Sequence, residues 1–171
     1  MVTIRFADSK DAELIAEMSR ETFYDTFAAQ NTKANMNKFM SEVFSKDILI
    51  KEVGAAGNIF LLAFNGEEPV GYVRMRENNN PPGLGITESI EIARIYATKN
   101  AIGKGVGRSL MQKCIDIALE KNKQAIWLGV WEDNKRAIAF YTQCGFEKFG
   151  THTFMLGDDP QKDWLMKKML S

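Results

Sequence analysis

Gly103-Lys104-Gly105-Val106-Gly107-Arg108 is the stretch on which the fold turns. After it, Val106, Leu110, Cys114, Ile117 and Ala118 recur at helical spacing; before it, Glu88 to Thr98 reads as a strand with two distinct faces. The glycines therefore occupy a strand-to-helix turn. Glycine tolerates the dihedrals of such a turn and leaves main-chain N–H groups uncovered at the positive end of the helix, where a pyrophosphate is well held. Lys104 and Arg108 add cations beside that position. Taken alone, the same glycines serve equally well as a tight turn with no ligand. Spacing excludes two other phosphate motifs. The chain has no GxxxxGK run followed by Ser or Thr, and the third glycine of GxGxxG would fall on Arg108 or Leu110.

Outward from this turn, the periodicity predicts β-α-α-β-β-β-α-β-α-β-β. Val2 to Phe6 alternates as a strand, and Asp8 or Ser9 caps a helix with Ala12, Ile15, Ala16, Met18, Ser19 and Phe23 on its apolar stripe. A second helix starts at Thr32, with Met36, Phe39, Met40 and Val43 at helical spacing, and Ile48 to Val53 adds a turn or two. Asn58 to Phe64 and Val70 to Arg76 form a hairpin about Asn65-Gly66, where Glu67-Glu68-Pro69 points to a loop longer than two residues. Asn78 to Gly83 is a loop. Ala125 to Trp131 is a strand, and Asn134 to Cys144 a helix stopped by Gly145. Glu147 to Leu156 and Lys162 to Met169 are the last strands, joined at Gly157-Asp158-Asp159-Pro160. The whole is one mixed α/β domain over residues 1–171.

Composition narrows the function classes. Apolar residues make up 45% and charged residues 26% of the 171, a globular balance with formal net charge zero. Nothing at that level points to nucleic acid or an anionic membrane as partner. No signal peptide or apolar run of membrane-crossing length is visible, so a cytoplasmic location is expected. One histidine and two distant cysteines, Cys114 and Cys144, supply no metal-ligand set, and the thiols read as free.

Ile92-Ala93-Arg94-Ile95-Tyr96-Ala97 followed by the glycine turn resembles the cofactor-binding core of the GNAT N-acetyltransferases. Asn134-Lys-Arg-Ala-Ile-Ala-Phe-Tyr-Thr-Gln-Cys-Gly-Phe146 resembles that family's second core segment. Thr22 to Phe27, Gln30-Asn31, Asn35-Met36, Ile126 to Glu132 and the tail around Gly157-Asp158 are similar to bacterial spermidine/spermine N-acetyltransferases of the PaiA type. The resemblance implies the GNAT fold, a central, mostly antiparallel sheet of six to seven strands flanked by helices. It also implies direct transfer of acetyl from acetyl-CoA to a primary amine, most simply of a polyamine, with no metal. The implied partner is a small-molecule amine, with neither nucleic acid nor membrane involved and a homodimer allowed. Other acceptors stay open at this point: a peptide N-terminus, an amino acid or an aminoglycoside, or no acceptor at all in an acyl-CoA-binding sensor. One departure stands out, since Ile102 occupies a place where the family usually carries Gln or Arg.

Such chemistry needs a neutral nucleophile, a polarised carbonyl and a protonated leaving thiolate. A primary ammonium, with a pKa of ~10.4, must lose a proton first. Glu91, on the strand entering the turn, lies where some members place a glutamate base; the alternative is a surface carboxylate paired with a lysine. Tyr141 lies where family tyrosines protonate the thiolate; the alternative is a core aromatic beside Ala137, Ile138 and Phe140. The resemblance places Ile95, Tyr96 and Ala97 along the pantetheine by main-chain pairing, Gly103, Lys104, Gly105, Val106, Gly107 and Arg108 at the diphosphate, and Asn134 at the cofactor or at the cap of its helix. A polycation would be met by spaced carboxylates and an apolar path: Glu21, Asp25, Glu88 and Asp158-Asp159, with Tyr24, Phe23 and Phe27 along the methylenes. Each of these also reads as a solvated acid or a core aromatic. His152 reads as a half-buried strand residue, and Trp127 and Trp131 as core.

Overall fold

The structure is a computed structural model that describes residues 1–170. The chain runs β1 (Val2–Phe6), α1 (Ala12–Phe27), α2 (Lys33–Glu42), α3 (Lys46–Glu52), β2 (Asn58–Asn65), β3 (Glu68–Glu77), β4 (Ser89–Ala97), α4 (Val106–Glu120), β5 (Ala125–Trp131), α5 (Lys135–Gln143), β6 (Glu147–Leu156) and β7 (Asp159–Met169). Asp8 is the residue that caps the entry to α1, through a 3-10 turn, accepting from the Lys10 N–H at 2.9 Å. Its own N–H is taken by Asp11. The buried face of α1 carries the predicted stripe and continues through Thr22 to Phe27.

The strands form one seven-stranded sheet in the order β1-β2-β3-β4-β5-β7-β6. All neighbours are antiparallel except β4 and β5, which are parallel because α4 carries the chain back between them. One face of the sheet packs on α4 and α5 through Val73, Ile90, Ile92, Leu110, Cys114, Ile126 and Leu128. The other packs on α1 to α3 through Ile15, Met18, Phe60, Leu62 and Tyr72. An aromatic layer extends that second face, with Phe23 stacked on Phe27 and Phe39 at 4.3 and 4.5 Å, and Phe27 on Trp131 at 4.6 Å.

Two turns are tighter than expected. Asn65 pairs with Glu68, so the β2–β3 loop is the two residues Gly66-Glu67, and the extra length is absorbed by a bulge where Phe64 pairs Pro69 and Ala63 pairs Gly71. Likewise Leu156 pairs with Asp159, which brings Asp159 and Pro160 into β7 and leaves Gly157-Asp158 as the turn. Pro160 is tolerated because β7 pairs with β5 only from Asp163 onward, so its missing N–H removes no bond to that side. His152 is exposed rather than half-buried, at 57% of its side chain, on the outer strand β6.

Candidate active site

The sheet has a seam. The β4–β5 ladder ends at Ile92 opposite Leu128. Yet β4 stays bonded to β3 as far as Ala97, and β5 to β7 as far as Trp131. Between Ala93–Ala97 and Gly129–Trp131 the two strands part. A cavity of about 940 Å3 occupies the gap, lined from the α4–α5 layer and from the α1–α2 layer, so it runs through the sheet from one face to the other. The main-chain groups of β4 that point toward β5 beyond Ile92 have no ladder partner. This is an unused strand edge inside the cleft.

A bulge in β4 sets which side chains face which half. Arg74 pairs with Arg94 and Met75 with Ile92, so Ala93 is left between them and the alternation shifts by one. Ile92 and Ile95 thereby both pack toward α4. Glu91, Arg94 and Tyr96 share the opposite face with Arg76, Arg74 and Tyr72 of β3.

The α4–α5 half is built mainly from backbone. Ile102, with φ −63° and ψ 136°, and Gly103, with φ +81°, form a type II turn closed by the Lys104 N–H on the Ala101 carbonyl at 3.3 Å. Gly105, with φ +85°, then starts α4 without a side-chain cap, and the first intrahelical bond reaching it comes from Ser109. The N–H groups of the first turn are left as donors at the positive helix end. A Cβ on Gly103 or Gly105 would meet no protein atom within 4 Å, so the space in front of them is open. Gly107, Arg108, Lys99 and Arg136 also line this half. Val106 is buried in the core and Lys104 is exposed, and both fall outside the lining. Ile102 does face the cleft, so no side-chain donor is present at that point.

Asn134 caps α5 by accepting from the Ala137 N–H at 3.2 Å, and it also lines the cleft. Tyr141 lines the cleft from α5 while its ring packs on Phe140 and Phe146. Burial, with smaller contributions from Cys114 and Cys144, pushes its phenol above the ordinary tyrosine range, which keeps it protonated. Tyr96 is pushed up by burial as well, and it lies within electrostatic reach of both Tyr141 and Asp163.

The α1–α2 half is built from side chains. Phe23, Phe27, Phe39, Phe44, Trp131 and Phe154 make an aromatic wall, and Asp25 and Asp163 supply the carboxylates. Arg94 brings a cation, but both its terminal nitrogens are held by Glu52 at 2.8 and 2.9 Å and its guanidinium lies 4.9 Å from the Phe44 ring. Burial is the largest single influence and works against that charge; the Glu52 hydrogen bonds, with the fields of Tyr72, Glu52 and Tyr96, together outweigh it. The tip of the β6–β7 hairpin closes this side against α2. The Asp158 N–H donates to Asn35 Oδ1 at 3.0 Å, Lys38 pairs with Asp158 at 2.6 Å, and Gln161 donates to Asn31.

Besides Lys104 and Val106, several expected site residues are not brought to the cleft, Glu21 on the exposed side of α1 among them. Glu91 sits on the β4 stretch still zipped to β5, opposite Trp127, and is only 6% exposed. Its oxygens accept from Arg76 at 2.6 and 3.0 Å and from Asn79 at 2.9 Å, so its hydrogen-bonding capacity is engaged beneath the 78–86 loop. Glu88 precedes β4 at the far end of the sheet, 3.8 Å from Lys123. Tyr24 is 48% exposed and projects away from the cleft that Phe23, Asp25, Thr26 and Phe27 line. Asp158 and Asp159 are engaged in the hairpin clasp, with Asp159 accepting from Gln161. Conversely, Lys99, Arg94, Arg136, Gly129 and Asp163 line the cleft without having been singled out by sequence. Arg136 had a usable signal, since it stands in the first turn of the helix that Asn134 opens. Asp163 had none, because only strand pairing carries it to the seam.

Among the described residues no group of histidine, cysteine and acidic side chains could hold a metal ion, Cys114 and Cys144 are free thiols, and no helix is long and apolar enough to cross a membrane. Comparison with known proteins gives a consistent picture. The profile of the acetyltransferase (GNAT) family matches residues 17–146. An uncharacterized N-acetyltransferase of Lactobacillus delbrueckii subsp. lactis is 36% identical across 99% of this chain and 98% of its own length. The spermidine N(1)-acetyltransferase of Thermoplasma acidophilum is 23% identical over 98% of this chain and 96% of its own. The crystal structure of a PaiA N-acetyltransferase from Thermoplasma acidophilum in complex with coenzyme A superposes with a TM-score of 0.78, covering 99% of both chains at 22% identity; that likeness is one of fold.

Proposed function

The chain belongs to the acetyltransferase (GNAT) family and is an acetyl-CoA-dependent N-acetyltransferase, and on that premise we propose that its acceptor is a primary amine of a polyamine such as spermidine or spermine. The observation that carries the proposal is the through-going cleft, main-chain donors at one end and aromatic rings with two carboxylates at the other. Acetyl-CoA supplies the activated acyl carbon when bound.

In this reading the first-turn amides of α4, with Arg108, Arg136 and Lys99, hold its phosphates, and the open edge at Ile95, Tyr96 and Ala97 pairs with the pantetheine amides. The bare helix end and the open space before Gly103 and Gly105 fit such a group. Tyr141 gives a proton to sulfur as charge develops there, from a phenol that burial keeps protonated. The aromatic wall suits methylene chains, and Asp25 at the rim suits a distal ammonium.

The distant spermidine acetyltransferase relative supports the same acceptor class. A thiol-release assay across spermidine, spermine, peptide N-termini, amino acids and aminoglycosides tests it. Spermidine turnover well above every peptide and amino acid is expected, and preferential turnover of a peptide amine would sink the polyamine assignment. Coenzyme A binding with no turnover on any amine would instead favour a sensor.

A further inference from the structure

The acceptor's proton has no destination among the groups assigned so far, because Glu91 is tied to Arg76 and Asn79 outside the cleft. The α1–α2 half contains two carboxylates, and they differ in setting. Asp25 is exposed on α1. Asp163 lies at the seam itself. On β7 it pairs with Trp131, the last β5 residue of the parted segment, and its side chain is 22% exposed.

Gly129 is what makes room for it. A Cβ at that position would stand 3.2 Å from Asp163 Oδ2, so the missing side chain leaves the carboxylate an open path over β5 toward the gap. Asp163, Tyr96 and Tyr141 line the same cavity, so a carboxylate and a phenol both reach the gap beside β4. The charged and titratable groups facing Asp163 are His152 across the β6–β7 ladder, with Nδ1 3.9 Å away, and Tyr96 across the cleft. No cation other than His152, if protonated, is paired with Asp163 among the described residues.

We propose that Asp163 is the catalytic base, receiving the acceptor ammonium against its carboxylate and taking its proton; this rests on the transferase reading above. The step balances. An N–H proton moves from R–NH3+ to Asp163 Oδ2, leaving a neutral amine whose lone pair forms the C–N bond to the acyl carbon. The C–S bond breaks, its electron pair stays on sulfur, and sulfur takes the Tyr141 phenolic proton. The attacking nitrogen loses its second proton to solvent, and the proton held by Asp163 returns to the Tyr141 phenolate through solvent. Both side chains are then restored. Net, one amide and one thiol form and one proton is released.

The electrostatics agree with this role. Burial pushes the Asp163 carboxyl up to about 6, partly offset by His152. That makes it a better proton acceptor than an ordinary aspartate while leaving it ionised at neutral pH. A carboxyl whose folded value exceeds its unfolded one contributes stability that is complete at low pH and lost as pH rises through about 6. Removing the charge should therefore stabilise the protein above that pH.

The test compares wild type, Asp163→Asn and Asp163→Glu. Wild-type kcat/KM for spermidine should fall on the acid side of a break near pH 6. Asp163→Asn should lose about 100-fold in kcat/KM and lose the break. It should also gain melting temperature at pH 8 more than at pH 5 and keep its coenzyme A affinity. Asp163→Glu should recover part of the rate together with the break. An Asp163→Asn enzyme within threefold of wild type, or one that keeps the break, overturns the proposal, as does a parallel loss of coenzyme A affinity. Should wild type turn over no amine at all, the transferase reading fails by itself. Spermidine binding to the coenzyme A-loaded protein then decides the carboxylate's role, a tenfold weakening in Asp163→Asn supporting it and equal affinity refuting it.

Discussion

The two halves of the cleft are made of different material. On the α4–α5 side two short runs, Ile92–Arg108 and Asn134–Tyr141, supply nearly everything, and their contribution is largely main chain: a strand edge, a type II turn and an uncapped helix start. On the α1–α2 side, side chains arrive from six elements, α1, α2, β4, β5, β6 and β7, with no two adjacent runs sufficient. A site of backbone donors is set by local conformation and tolerates changes in surrounding side chains. The Ile102 substitution illustrates this, since it removes a side-chain donor and leaves the turn geometry intact. A site of side chains from distant strands changes with each substitution, which is how one fold takes many acceptors.

The strongest challenge to this contrast is Gly105→Val. A β-branched residue at φ +85° is strained, and its side chain would enter the space before the helix start. Roughly 1,000-fold weaker coenzyme A binding by calorimetry is expected. A change below threefold would show that backbone does not carry that half.

Tyr141→Phe comes next. It keeps the ring among Phe140 and Phe146 and removes the proton donor, so kcat should drop about 100-fold while both KM values stay within about twofold. Near-wild-type kcat would return Tyr141 to a packing role alone.

Asp25→Asn sharpens the other half. An exposed carboxylate on an ammonium is worth little, so KM for spermidine should rise about fivefold and KM for acetyl-CoA should stay put. Equal effects on both would erase the division between the halves.

Glu91→Gln should have the least effect on turnover, within about twofold, because the side chain lies outside the cleft. Its cost appears in melting temperature instead, by a few degrees, as the Arg76 pair loses its charge assistance. A collapse of kcat in this variant, with Asp163→Asn active, would move the base to Glu91.

Most of the fold was legible in the sequence, and so was one half of the cleft's lining. Helix periods placed α1, α2, α4 and α5, and glycine chemistry placed the turn before α4, because both depend on residues a few positions apart. The β2–β3 and β6–β7 turns came out shorter than their loop-forming residues implied, since ladder pairing drew Glu68 and Asp159 into strands. Glu91 could not be oriented from alternation, because the bulge at Ala93 shifts the parity of β4.

The amino-acid order by itself determined an α/β chain with a phosphate-fitted glycine turn and the tyrosine helix behind it, all products of short-range conformational preference. Only the tertiary structure decided where the sheet opens, that Glu91 is bound to Arg76 away from the opening, and that Asp163 stands over Gly129 inside it. Those facts arise from pairing between strands fifteen or more residues apart, a register that hydrogen bonding across the sheet selects and local sequence does not encode.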